Sequence, residues 1–223
     1  MMDELDEGGV SRRRLWAFGA AGLGAAAVSA CASQAAARTP APAPEDDGLA
    51  ARLDALEARS QVTDVLYAYA RANDRKDEAL LRSCFWPEST HRHGRFDGTS
   101  TDFIDFAFTI ISGILYSTHH ISNVTVEVDG DRAFSECYYF AHHRRPKPED
   151  GETEFDAFFE GRYIDLHERR DGVWKIIQRR GVSDYSMVVP AADSFADWNP
   201  AHRSLNAPDD PYYALREKFL SGS

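Results

Sequence analysis

Six of the chain's eight histidines stand in three close pairs: His91 with His93, His119 with His120, and His142 with His143. Imidazole titrates near neutral pH, so these are the first candidates for general acid–base work. On a strand, residues two apart share a face and adjacent residues do not. His91 and His93 should therefore point the same way, a pattern that also suits a metal. Zinc needs three or four convergent ligands, and no carboxylate or cysteine stands at a familiar spacing, so no metal is expected. His119 and His120 must diverge. The alternation of Ser122, Val124, Val126 and Val128 places His120 on their face and leaves His119 a structural role. His142 and His143 diverge likewise, and for His143 a functional and a structural role stay equally open. Tyr69 lies on an apolar helical face, where core packing is the default. Asp74 follows it by five residues, placed either to cap the helix or to hold an imidazole.

The elements that position these groups follow from periodicity. Acids at 45–47 precede Leu49, Leu53, Leu56, Val62, Val65, Leu66 and Tyr69, predicting a long first helix, continuous or broken near Ser60, that ends around Asn73. A short second helix is expected over Asp77–Phe85, stopping at Pro87, and a third from a cap at Thr99 or Ser100 to about Leu115. Period-two patterns then predict a hairpin of His120–Val128 with Ala133–His142, and another of Phe155–His167 with Val173–Val182. Helices followed by antiparallel strands define an α+β class, with the helices covering one face of a curled sheet. Alternation groups Arg180 with Trp174, Ile176 and Gln178 without fixing which face is inward, so Arg179 and Arg180 both remain candidates. The aromatic segment Ser194–Leu220 is expected to close a pocket or pack on a neighbour.

Ahead of this domain, Ser11-Arg12-Arg13-Arg14-Leu15-Trp16 runs into an apolar stretch ending at Ala30. That stretch is shorter than the roughly 20 residues a spanning helix needs. Its Gly and Ala content resembles a twin-arginine export signal, and Val28-Ser29-Ala30-Cys31 resembles a lipobox with Cys31 as the lipidated mature N-terminus. Residues 1–31 thus read as signal, 32–47 as an Ala/Pro-rich linker, 48–190 as the domain and 191–223 as a tail. The expected location is periplasmic or membrane-tethered, with membrane contact only through the signal or its lipid. Cys84 and Cys137 then remain, either paired or as buried thiols. Thirty-six acids against 25 Lys and Arg give a net charge of −11, which argues against nucleic acid as a partner.

Tyr69-Ala-Arg-Ala-Asn-Asp74-Arg-Lys-Asp77, Cys84-Phe-Trp-Pro, Thr118-His119-His120-Ile-Ser-Asn123, Gly161-Arg-Tyr-Ile-Asp-Leu and Asp171-Gly-Val-Trp174-Lys-Ile-Ile-Gln-Arg-Arg180 resemble, in order and spacing, the SnoaL-like branch of the nuclear transport factor 2-like superfamily. The resemblance runs from about Leu49 to Tyr185. It implies a cone: a strongly curled mixed or antiparallel sheet wrapping N-terminal helices, with a pocket at the wide end. The dehydratases of this superfamily use an Asp–His pair, which falls here on Asp74 and His120, with Tyr69 at the family's tyrosine. His143 falls on a second acid–base position and His93 on a pocket tyrosine, while Tyr139, Tyr163 and Arg179 or Arg180 count among substrate contacts. Asn73 replaces a second family tyrosine. The implied activity is a lyase (dehydratase) or isomerase that needs no cofactor and acts on a hydrophobic cyclic small molecule. The same fold also serves as a non-catalytic binding protein or accessory subunit, as in dioxygenase small subunits, and a homo-oligomer, dimer or trimer, is implied.

Overall fold

Every third or fourth residue of the first helix is buried from Ala58 through Val62, Leu66 and Tyr69 to Asn73, and that stripe organises the domain. The computed structural model describes residues 48–149 and 153–222. Helix α1 (Leu49–Arg75) is continuous through Ser60 and ends at Lys76, which takes the left-handed conformation. Asp77 caps α2 (Glu78–Ser83), its side chain accepting the Leu80 N–H. The strand β1 (Phe85–His93) follows, where a helix was expected to reach Phe85. Pro87 lies in an irregular stretch of its pairing, where the missing N–H costs no ladder bond. A two-residue turn at Gly94 (φ 55°) and Arg95 leads into β2 (Phe96–Thr99).

Thr99 caps α3 (Ser100–Ile111), which ends four residues short of the expected Leu115. Lys76 reaches across to the carbonyls of Ser112 and Ile114 and so ties the end of α1 to the end of α3. Four long strands complete the sheet: β3 (Tyr116–Asp129), β4 (Arg132–Arg145), β5 (Phe155–Arg170) and β6 (Val173–Pro190). The order is β2-β1-β6-β5-β4-β3, antiparallel except for the parallel β1–β6 pair. The sheet is curled and unclosed, and its inner face packs on α1 and α3. The fold is the α+β arrangement of N-terminal helices in a curled sheet.

Two breaks in register correct the expected strand faces. In the β3–β4 ladder, Ser122 pairs with Tyr138 and Thr125 with Glu136, so β3 carries one extra residue. Asn123 accommodates that bulge with φ 49°, a conformation Asn tolerates better than most residues. In the β5–β6 ladder, Leu166 pairs with Gln178 and His167 with Ile176, leaving Ile177 as the extra residue. Each bulge flips the inward phase of everything on its far side.

The tail forms two 3₁₀ turns and α4 (Pro211–Ser221). It packs on the domain's own chain: Ala207 donates to the Arg75 carbonyl, Tyr213 donates to Asp77 at 2.7 Å, and Asp193 accepts from Arg144. Cys84 and Cys137 are buried free thiols, each pushed up to about 12 by burial. Among the described residues, no helix is long and apolar enough to cross a membrane. The arginine motif and Cys31 lie outside the described residues.

Candidate active site

The inner face of the sheet and the helices line an open cavity of about 350 Å³. Its floor holds Tyr69 and Asn73 of α1, His119 of β3, Tyr139, Ala141 and His143 of β4, and Tyr163 of β5. Phe103, Phe106 and Ile110 of α3, with Phe159 of β5, supply the apolar wall, and His93, Arg95, Arg145 and Ser183 complete the lining.

Asp74, at the end of α1, meets the inner face of β3. Its Oδ1 lies 2.6 Å from Nδ1 of His119, and Oδ2 accepts the His119 backbone N–H at 3.0 Å. Ser117 donates to Oδ1 at 3.3 Å. Both side chains of this contact are nearly buried, 12% and 10% exposed, so little solvent reaches it. A carboxylate on Nδ1 selects the tautomer protonated there and leaves the Nε2 lone pair for the cavity.

This corrects the expectation for the pair. His120 is exposed on the outer face beside the Phe140 ring, because the Asn123 bulge puts His119, not His120, on the side of Val124 and Val126. The αL-tolerant Asn123 was the one signal in the chain that could have revealed the shift.

His143 lies beside the pair, its ring centroid 5.4 Å from that of His119. Its Nε2 is buried with no partner among the described residues. Burial, then the proximity of His119 and Arg145, pulls it down to about 3, so it is neutral in the physiological range. His142 points to the other face and pairs with Asp156 at 2.6 Å. His93 is held at about 4, by burial first and then by Arg179 and His119. His91 shares its face but is buried deeper and stacks on Phe103 at 3.5 Å. Among the described residues, no three His, Cys, Asp or Glu side chains could hold a metal ion.

Tyr69, Tyr139 and Tyr163 form an aromatic cluster, with Tyr139 and Tyr163 stacked at 4.5 Å and Tyr69 edge-on to Tyr163 at 5.3 Å. Burial raises all three phenols, which are therefore protonated hydrogen-bond donors. The Arg179 guanidinium lies behind them, 4.0 Å from the Tyr69 ring and 4.4 Å from the Tyr163 ring, in a bidentate pair with Asp165. Arg180 is exposed on the outer face, because the bulge at Ile177 turns Arg179 inward instead. Asn73 lines the floor and donates to the Tyr69 carbonyl. Sequence reasoning missed Arg95, Arg145, Phe159 and Ser183 as cavity residues, since only the curl of the sheet brings them together.

A curled sheet, helices in its hollow and a carboxylate–imidazole pair in a polar-floored cavity define a nuclear transport factor 2-like protein. A SnoaL-like domain model matches residues 54–180, more than half of the chain, and the chain belongs to that family. Among solved structures it is similar to a hexachlorocyclohexane dehydrochlorinase, LinA type 2, at 21% identity over 63% of this chain and 93% of that one, with a TM-score of 0.54. The LinA-type3 dehydrochlorinase of Novosphingobium barchaimii LL02 matches at 21% identity, over 63% and 94% of the chains, with a TM-score of 0.53. A candidate scytalone dehydratase from Novosphingobium aromaticivorans matches at 21%, over 63% and 89%, with a TM-score of 0.51. At these identities the likeness concerns the fold. No curated protein matches the chain.

Proposed function

We propose that the protein is a cofactor-independent lyase or isomerase acting on a hydrophobic cyclic small molecule, with His119 oriented by Asp74 as its general base. The observation that carries this is the 2.6 Å contact between Asp74 and His119 at the floor of an apolar-walled cavity. Nε2 of His119 takes a proton from a carbon next to an activating carbonyl. Electrons of that C–H bond move onto the carbonyl oxygen as an enolate, whose collapse forms the new double bond as the bond to a leaving hydroxyl breaks. The protonated Tyr69 phenol supplies the proton that carries hydroxide away as water, and the other tyrosines of the cluster steady the intermediate oxyanion.

The test is a panel of cyclic β-hydroxy ketones incubated with the mature domain, with loss of water followed by mass spectrometry. His119→Ala and Asp74→Asn should abolish turnover while folding and ligand binding persist; turnover unchanged in His119→Ala would overturn the assignment. The rival reading, a binding protein or non-catalytic subunit, draws its support from the export-type N-terminus, because a tethered carrier needs no turnover. It calls for ligand binding by the wild type with no product from any member of the panel.

The same proposal extends to location: export by the twin-arginine route and lipidation at Cys31, checked by the mass of the mature N-terminus from a membrane fraction. Exposed Phe134, Tyr138, Phe140 and Leu166 on the outer sheet face support association into a dimer or trimer, which sedimentation of the mature domain measures.

A further inference from the structure

Two arginines that line the cavity have no carboxylate partner among the described residues. Arg95 sits in the two-residue turn between β1 and β2, which Gly94 holds with a positive φ. Arg145 ends the inner face of β4, two residues beyond His143. Both line the cavity, and neither forms an ion pair with a carboxylate among the described residues. The other arginines of this region are spoken for: Arg144 binds Glu154, Asp156 and Asp193, Arg179 binds Asp165, and Arg92 pairs with Asp97.

Each of the two guanidinium groups is instead held against an aromatic wall of the same cavity. Arg95 lies 5.7 Å from the centroid of Phe106, and Arg145 lies 5.7 Å from that of Phe159. A cation–π contact of this kind engages the face of the ring and leaves the guanidinium N–H donors free for a ligand. Exposure orders the site along its depth. Arg95 is exposed and Arg145 half-buried, whereas Tyr69, Tyr139 and Tyr163 on the floor are buried. The cavity thus has a protic floor, an apolar middle and a cationic rim, in a protein whose overall charge is −11.

We infer that the ligand of this cavity is an amphiphile: an apolar ring system that fills the middle, carrying one oxyanion that Arg95 and Arg145 bind at the rim. The inference rests on the reading of this cavity as a ligand site and adds the chemical class of ligand. A carboxylate or sulfonate suits two guanidinium forks, and a charge-assisted contact of this type contributes enough to change affinity about tenfold.

The test uses two fluorescent probes with the same aromatic body, 8-anilino-1-naphthalenesulfonate and uncharged N-phenyl-1-naphthylamine, titrated against the mature domain. The variant Arg95→Met/Arg145→Met should weaken the sulfonate by about tenfold or more and change the uncharged probe less than about twofold. Arg95→Met alone, a change on an exposed turn, should show part of the same selective loss. Displacement of the sulfonate by 2-naphthoate, with 2-naphthamide much weaker, extends the preference to carboxylates. Equal losses for both probes, no loss for the sulfonate, or equal displacement by acid and amide would overturn the inference and leave the cavity reading standing. Failure of both probes to bind the wild type would overturn the cavity reading together with it.

Discussion

Asp74 grips His119 at two points: Oδ1 on the ring nitrogen at 2.6 Å and Oδ2 on the backbone N–H at 3.0 Å. The backbone contact places the carboxylate relative to the strand, and the ring contact then has one geometry available. The imidazole is held in the Nδ1–H tautomer with Nε2 toward the cavity. Long-range ¹H–¹⁵N correlation spectra of the protein should show His119 in that tautomer, and Asp74→Asn should mix the two forms. On any substrate that turns over, His119→Ala should lower kcat by about 10²–10⁴-fold and His120→Ala should leave it unchanged.

Stability should fall as the solution turns acidic, and the sign follows from the buried imidazoles. Burial holds His93 and His167 at about 4, His143 at about 3 and His91 at about 2 in the folded chain, against 6.5 for a free side chain. Between pH 6.5 and 4 the unfolded chain binds protons that the folded chain does not, so each group lowers stability by up to about 1.4 kcal/mol per pH unit across that window. Urea midpoints should drop steeply from pH 7 to pH 5. His91→Phe should flatten the profile. A midpoint independent of pH would contradict the burial of these rings.

The Arg179–Asp165 pair is fully buried, both side chains 0% exposed. Arg179→Met strands the Asp165 carboxylate in the core, and chemical unfolding should register a loss of about 3–5 kcal/mol. In Arg179→Met/Asp165→Leu, where neither charge remains, most of that loss should return.

Asn123 sets the phase of β3. Asn123→Gly keeps the positive φ without strain and should be close to neutral. Asn123→Val forces a β-branched residue into the left-handed region and should cost about 1–2 kcal/mol, read from the same unfolding curves.

Gly181 stands on the inner face of β6, where an added Cβ would lie 2.6 Å from two atoms of the His93 ring. Gly181→Ala should displace His93 into the cavity, cost about 1–3 kcal/mol of stability and weaken binding of N-phenyl-1-naphthylamine. A variant with unchanged probe affinity would mean that His93 does not shape the ligand volume.

The element types were legible in the chain because they depend on local periods: the buried stripe of α1, the Thr99 cap of α3 and the two long hairpins all follow from residues near in sequence. The strand β1 was not, since Phe85-Trp86-Pro87 carries a proline that argues against a strand, and its tolerance depends on an irregular pairing with β6 far along the chain.

The resemblance carried by the sequence motifs implied that an acid, a tyrosine and an imidazole from distant segments would share one interior, and Asp74, Tyr69 and His143 stand there. Which imidazole faces Asp74, and which arginine turns inward, was decided by the tertiary structure. A strand's two faces alternate with period two, so one unpaired residue exchanges them. The extra residues at Asn123 and Ile177 follow from how whole strands register against their neighbours, a property of the assembled sheet. The cationic rim has the same origin, because Arg95 and Arg145 are fifty residues apart and line one cavity only where the sheet curls.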